Sequence, residues 1–441
     1  MSQPAKVCVP GNAQSEYPEA LAWLYRLQRF GIKLGLENVR RLLAELRIDL
    51  ANVPVVHVAG TNGKGSVCAM IESICRAAGY RTGLFTSPHL VTFRERIQID
   101  GQMVSPSDVA VGLTSIRKLV ADWDPHPTFF EVSTALALKI FSEAEPARRS
   151  RSSRRSLAKA DGAGGVDVLI LETGLGGRLD ATNAVKSKVA VITPIDLDHQ
   201  KWLGDSIEEI AKEKAGIIKP KVPVVSALQK KEVEDVLRQR ARECESPIEF
   251  VTEPDNAHPL GLLGEYQRQN AALAIAALRK INGLKMEESA IASGLATVQW
   301  PARFQKWGDR TIIDGAHNPA AASTLAETWR QSFGNQPATL ILAILSDKDL
   351  PGICQALAPI SDFVLLPKIR SERAADPSQL AEIFSRISPL LHCSVTPSLA
   401  EALAIARAKP NPILITGSLH FAGEVLALLR GEPAAFEECA Q

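Results

Sequence analysis

The chain has 441 residues, 46% hydrophobic and 22% charged, with 29 Gly and 27 Pro. These are ordinary globular proportions, enough for two or three domains, and they exclude a single small module or a chain disordered throughout. Lys and Arg number 50 against 49 Asp and Glu, so no overall field recruits nucleic acid or an anionic membrane, and any basic partner site must be local.

Residues 1–10 lack a charged segment followed by an apolar one, and no apolar run approaches the roughly 20 residues of a membrane helix. A soluble, cytoplasmic protein is expected. The seven cysteines are odd in number and form no CxxC, so neither a disulfide framework nor a zinc knuckle is indicated. Cys68 and Cys75 fall on one face of an expected helix and read as buried core thiols.

The chain opens with helices. Pro18 suits a first-turn position before a helix over 19–30, and Val39, Leu42, Leu43 and Leu46 follow amphipathic spacing. Short β-branched runs at 53–58, 82–85, 166–171, 189–193 and 222–226 then alternate with longer helical stretches, the rhythm of a parallel sheet with helical crossovers. Residues 145–165 interrupt it with EPARRSRSSRRSLAKADGAGG, which lacks apolar periodicity and reads as a mobile, basic insertion before the next strand. After Trp300-Pro301 a second series begins. Strands are expected at 311–313, 339–345, 363–366 and 412–415, with helices at 319–331, 377–387, 399–408 and 422–429. The boundary is therefore placed near 300, giving units 1–299 and 300–441.

Three clusters in the first unit carry chemistry. Val55 to Val58 is an apolar strand entering Ala59-Gly60-Thr61-Asn62-Gly63-Lys64-Gly65-Ser66, and a helical run follows over 67–78. Glycines let backbone N–H groups face a polyphosphate, the helix start adds positive partial charge, Lys64 can neutralise β- and γ-phosphates, and Ser66 can offer oxygen to Mg²⁺. The strict Walker spacing is absent: Val58 stands six before Lys64, and Gly65 separates Lys64 from Ser66. A second Gly-rich turn after a strand, Glu172-Thr173-Gly174-Leu175-Gly176-Gly177, brings a carboxylate to a strand end, where Glu172 could complete a Mg²⁺ shell. The third cluster, Asp196-Leu197-Asp198-His199, again follows a strand. Glu213 to Gly216 would ordinarily be the solvated face of a helix over 207–218.

In the second unit, polar residues again stand just past strands. Asp314, His317 and Asn318 follow one, Ser346 to Asp349 another, and Ser418 and His420 a third. Segments that aim polar groups at one edge imply a cleft between the units.

Taken in order, these segments resemble the folylpolyglutamate synthase/dihydrofolate synthase family of the Mur-ligase superfamily. The likeness runs from about Tyr17 to Leu429 and rests on HVAGTNGKGSV from His57, TSPHLVTFRERI from Thr86, FFEVSTALAL from Phe129, LETGLGGRLDATN from Leu171, DHQKWLG from Asp198, IAKEKAGIIKP from Ile210, PARFQ from Pro301, DGAHNP from Asp314, SDKD from Ser346 and TGSLHFAGEV from Thr416. The resemblance implies a P-loop parallel-sheet ATPase domain followed by a smaller Rossmann-like α/β domain, with the active site in the interdomain cleft.

It further implies that Gly60, Thr61, Asn62, Gly63, Lys64, Gly65 and Ser66 hold ATP together with Asn270, Arg303 and Asp314. Ser66, Glu172 and His199 would serve one Mg²⁺, and Ser87 a second. Lys214 matches the family's carbamylated lysine, His317 and Ser418 match positions at incoming glutamate, and Phe130 and Asp180 match positions lining the pterin pocket. Lys64, His199, Lys214 and His317 are thus the expected catalytic set, and the resemblance allows for a monovalent cation as well. The expected reaction is ATP-dependent joining of L-glutamate to dihydropteroate or a reduced folate through an acyl phosphate, by a monomer that binds neither nucleic acid nor membrane. Two departures stand out: the 145–165 insertion, and Tyr266 where many relatives carry His. Alternatives are a related Mur-type ligase with another carboxylate acceptor, such as a peptidoglycan precursor, and a P-loop RNA-associated ATPase using the Arg-rich insertion as its arm.

Overall fold

The computed structural model describes residues 13–31, 33, 35–144, 165–433 and 436–437. Cys8, Cys439 and all but the last residue of the basic insertion lie outside the described residues. The five described cysteines are free thiols, and Cys68 and Cys75 are both buried. No described helix is long and apolar enough to cross a membrane.

Two sheets organise the chain. The first has eight strands: β1 (Val55–Ala59), β2 (Thr82–Phe85), β3 (Ile97–Ile99), β4 (Gln102–Met103), β5 (Val168–Glu172), β6 (Val189–Ile192), β7 (Val224–Ala227) and β8 (Ile248–Val251). Their order is β4-β3-β2-β5-β1-β6-β7-β8. The central strands β1, β5 and β6 are buried along their whole lengths, which explains their near-continuous Val/Ile/Leu sequences. Pairing is parallel from β2 to β8 through β5, β1, β6 and β7. At one edge β3 runs antiparallel to β2 and β4 to β3, a departure from the purely parallel expectation, since strands of three and two residues leave no readable period.

The second sheet contains β9 (Gln305–Trp307), β10 (Thr311–Ile313), β11 (Ala338–Leu342), β12 (Ser361–Pro367), β13 (His392–Thr396) and β14 (Ile413–Thr416), in the order β13-β12-β11-β14-β10-β9. It is parallel except for the β9–β10 hairpin.

The opening helix runs Ala13–Arg26, with Leu27–Phe30 as a 3₁₀ turn. Pro18 therefore lies inside the helix rather than in its first turn, where its missing N–H costs one backbone bond. The P-loop helix (Lys64–Ala77) begins at Lys64 itself, and its approach from β1 is built on Gly63, whose φ of +90° suits glycine. It packs between the sheet and two further helices, Glu265–Arg279 and Glu288–Thr297. In the second unit Pro377–Ile387 and Leu399–Ala408 form where expected, while the last helix starts earlier, at Leu419. There Ser418 caps it by accepting from Phe421 N at 3.0 Å, a contact typically worth about 1 kcal/mol.

Candidate active site

Sheet topology sets the site. In the first sheet, β1 lies between β5 and β6, so the turns after these three parallel strands converge at one edge, the place where ligands collect in α/β sheets. In the second sheet β14 lies between β10 and β11, and the same geometry gathers Asp314, Ser418 and the residues after β11.

The two edges face each other across one cavity of about 540 Å³. Its lining includes Gly60 to Ser66, Ser87, Glu172, His199 and Lys214 from the first unit. Asn270, Arg303, Asp314, His317 and Ser418 join them. Phe130 and Asp180 are not on its lining. They sit behind the wall formed by Thr173 to Gly176, with Asp180 buried and Phe130 half-buried against Phe85 at 5.9 Å between ring centroids.

On the P-loop side, Lys64 Nζ donates to the carbonyls of Gly60 and Thr61, both at 3.2 Å. These are neutral acceptors that an anion would displace. Ser66 Oγ accepts from Gln267 Nε2 at 3.3 Å, and Gln267 in turn accepts from Asn270 at 2.9 Å. Asn270 therefore reaches the P-loop from the 265–279 helix. Glu172 accepts from Ser87 N at 3.1 Å. Burial pushes its carboxyl up, and the Lys64 ammonium works against that push.

Lys214 departs from the solvated-face expectation: it is buried, and its Nζ donates to Gly60 O at 2.7 Å. The helix Ile207–Ala215 turns this one lysine inward because Ile210, Ala211 and Ala215 bury its flank. Burial and then the neighbouring Lys64 charge push Lys214 down to about 7, so a substantial neutral fraction exists near pH 7.

Asp198 is a hub that the sequence motifs contain but do not explain. Its carboxylate pairs with Lys348 Nζ at 2.6 Å, lies 3.6 Å from His317 Nε2 and 3.9 Å from His199 Nε2, and accepts from Asn318 at 3.4 Å. Burial alone would raise its pKa, but the His317 contact, His199 and Lys348 outweigh burial and hold it well below the usual carboxylate range. Asn62 and Asn318 exchange side-chain hydrogen bonds at 3.3 and 3.1 Å, so the two units are tied directly at the cleft. His199, with φ of +53°, is pushed down to about 4 by partial burial and by the Lys348, Lys64 and Lys214 cations, against the pull of Asp198. It is neutral near pH 7, the form that ligates metals.

On the facing edge, Asp314 is buried and accepts from Phe304 N at 2.7 Å and Ala316 N at 2.8 Å. Burial raises it while Arg303 opposes. His317 Nδ1 donates to Gly315 O at 2.8 Å, which turns Nε2 to Asp198.

The second unit matches the model of the Mur ligase glutamate ligase domain over residues 302–419. The dihydrofolate synthase/folylpolyglutamate synthase of Bacillus subtilis is 33% identical over 94% of this chain and 99% of its own. The chain belongs to the folylpolyglutamate synthase/dihydrofolate synthase family. Escherichia coli FolC in complex with DHPP and ADP superposes with a TM-score of 0.78 at 34% identity, covering 93% of this chain and 98% of that one. The bifunctional folylpolyglutamate synthase/dihydrofolate synthase of Yersinia pestis, complexed with AMPPNP and Mn ion, gives 0.79 at 31% identity, covering 96% and 100%. The two-sheet architecture is thus that of the family, whose members are ATP-dependent acid–amino-acid ligases using a nucleotide and a divalent metal.

The donor set fits such a metal. Among the described residues no group of three or more His, Cys, Asp or Glu could hold an ion. Mg²⁺ bound beside a triphosphate needs only one or two protein carboxylates and keeps its other positions for phosphate and water. Glu172, the Ser66 hydroxyl and neutral His199, which line the cavity beside the P-loop, are the residues that could supply that limited set.

Proposed function

We propose that this ligase adds L-glutamate to dihydropteroate, to reduced folates, or to both, with release of ADP and phosphate. One observation supports the reading above others: a single cavity brings the P-loop lysine, a buried carboxylate and two further basic groups from one sheet edge to face Asp314, His317 and Ser418 of the other.

A carboxylate is a poor electrophile, so the acceptor's carboxylate oxygen first attacks the γ-phosphorus of ATP, giving an acyl phosphate and ADP. Gly60 to Gly65 direct backbone N–H groups to the phosphates, and Lys64 leaves its carbonyl partners to neutralise the transferring group. Asn270, Arg303 and Asp314 serve the nucleotide. A bound Mg²⁺, held by Ser66, Glu172 and His199, with a second near Ser87, supplies charge neutralisation at that phosphoryl group. The glutamate amine then attacks the acyl carbon, forming the amide, losing a proton and expelling phosphate. His317 and Ser418 are assigned to incoming glutamate, Phe130 and Asp180 to the pterin side of the acceptor.

Lys214 is assigned as a carbamate: its neutral amine adds to CO₂ and releases a proton, turning a buried cation into an oxygen donor beside Gly60. A monovalent cation, a monomeric state, a cytoplasmic location and a division of the chain near residue 300 complete the proposal. Mass spectrometry of the product from purified protein, ATP, L-glutamate and dihydropteroate tests it. One added glutamate per acceptor, dependent on ATP, is expected, and ATP consumption without a glutamylated product would overturn the reading.

A further inference from the structure

His57 lies in the middle of β1, fully buried, and none of the steps above uses it. Its sheet neighbours are Leu171 of β5 and Ala190 of β6, so the ring is a polar group in an apolar layer. Its Nε2 stands 2.8 Å from Oγ1 of Thr182. Thr182 belongs to the 3₁₀ turn Ala181–Ala184, which Asp180 caps.

The donors around Asp180 fix the direction of this chain of contacts. One carboxylate oxygen accepts from Gly174 N and Leu175 N, both at 2.9 Å. The other accepts from Thr182 N at 3.0 Å and from the Thr182 hydroxyl at 2.5 Å. Burial pushes the Asp180 carboxyl up, but backbone N–H groups, three of its four donors among the described residues, favour the carboxylate form, and the threonine adds a hydroxyl proton. Thr182 Oγ1 must then accept from His57, which is therefore the tautomer protonated on Nε2. His57 Nδ1 has no partner among the described residues, as expected for the unprotonated nitrogen of that tautomer. Burial, with Lys219 nearby, pushes the ring down to about 3, so it stays neutral.

The loop held in this way forms part of the site. Thr173, Gly174, Leu175 and Gly176 line the cavity directly after Glu172. Gly174 is pressed against Phe130: a Cβ there would fall 2.5 Å from the ring's Cζ. The far end of the turn is held as well, since Lys219 Nζ donates to Asn183 O at 3.0 Å and also to Val185 O.

We propose that His57 is a positioning residue for the acceptor side of the site: its Nε2–H, passed through Thr182 and Asp180, sets the height of the 173–176 loop against Phe130. This rests on the acceptor reading given above. A polar relay from the P-loop strand to the acceptor wall couples the two without touching the nucleotide.

Steady-state kinetics with dihydropteroate, ATP and L-glutamate varied in turn, together with ADP binding by calorimetry, test it on three variants. His57→Leu removes the donor while keeping bulk, His57→Gln keeps an N–H near the Nε2 position, and Thr182→Val removes the receiving oxygen. His57→Leu is expected to raise KM for dihydropteroate about tenfold or more, leaving KM for ATP and ADP affinity unchanged. His57→Gln should restore most of that loss, and adding Thr182→Val to His57→Leu should cost less than the two single effects summed, because both cut one relay. The inference is overturned if KM rises equally for all three substrates, if nothing changes, or if Gln is as impaired as Leu. Should His57→Leu fail to fold, Thr182→Val and His57→Gln decide on the same readouts. A wild type that glutamylates neither dihydropteroate nor tetrahydrofolate defeats the acceptor reading, whereas an active wild type with indifferent variants defeats this inference alone.

Discussion

The two sheet edges that face the cavity are built alike and hold their polar residues in opposite ways. At the second edge the side chains are already committed: Asp314 accepts two backbone N–H groups, Asn318 caps a helix by accepting from Ala321 N, and Ser418 caps another. At the first edge, Lys64 and Lys214 lean on carbonyls of the P-loop. Contacts of the first kind make a rigid frame, since breaking one leaves buried donors unpaired at about 1–3 kcal/mol each. Contacts of the second kind are held in reserve and exchange readily for a phosphate or a metal-bound oxygen. The first edge is therefore poised for charge, and the second for shape.

The sharpest way to break this contrast is Lys64→Ala. Among the described residues its hydrogen bonds go only to those carbonyls, so the melting temperature should stay near wild type while kcat in a coupled phosphate-release assay falls by about 10³-fold. Loss of fold together with activity would mean that Lys64 belongs to the frame instead. Lys214→Ala should cost somewhat less, about 10²-fold, and added acetate or another short carboxylate should restore part of the rate by standing in for the carbamate. Intact-mass measurement of the wild type in bicarbonate should show one added CO₂ that the variant lacks. A fully active Lys214→Ala enzyme without additive would remove the carbamate from the account.

Lys348 is where the two edges meet. It pairs with Asp198 with side chains only 9% and 8% exposed, and cutting such a pair leaves an uncompensated charge. Lys348→Met should loosen the closed arrangement, seen as a larger radius of gyration in solution scattering, and lower kcat/KM about tenfold. ADP affinity should change little, because the P-loop contacts remain. An unchanged scattering profile would show that Asn62 and Asn318 suffice to hold the units together.

How much of this was legible beforehand follows the range of the interactions. The strand–turn–helix at 55–77 and the helices at 377–387 and 399–408 are written in local period and glycine placement, and the structure forms them there. Of the residues that the family resemblance assigns to the site, from Gly60 to Ser418, all except Phe130 and Asp180 line the cavity. What local reading misses is pairing. The antiparallel edge strands are too short to show alternation, and the inward turn of Lys214 depends on neighbours from another strand end. The helices at 265–279 and 288–297 were not anticipated, although Ala- and Leu-rich faces bury them on the P-loop helix. The His57–Thr182 contact spans 125 residues, and the Asp198–Lys348 pair spans 150. A motif shows that a residue belongs to the site and says nothing of what holds it there.

The smallest expected effect lies off both edges and sharpens the contrast from outside. His258 is absent from the cavity lining and sits between Asp255 Oδ1 at 2.9 Å and Glu288 Oε1 at 2.8 Å. Burial alone would lower its pKa, but the hydrogen bonds to Asp255 and Glu288 outweigh burial and raise it. A histidine raised on folding contributes stability that is fully present below its unfolded pKa of roughly 6.5 and is lost as pH climbs through the folded value. His258→Gln should therefore lower the melting temperature at pH 6 and make progressively less difference toward pH 8. The loss should be about 1 kcal/mol or less, because the Glu288 side chain is 68% exposed. Since the ring stands apart from the site, kcat should not move at either pH. A melting-temperature difference that stays constant with pH would show that His258 acts by packing alone, and a fall in kcat would extend the working site beyond the two edges.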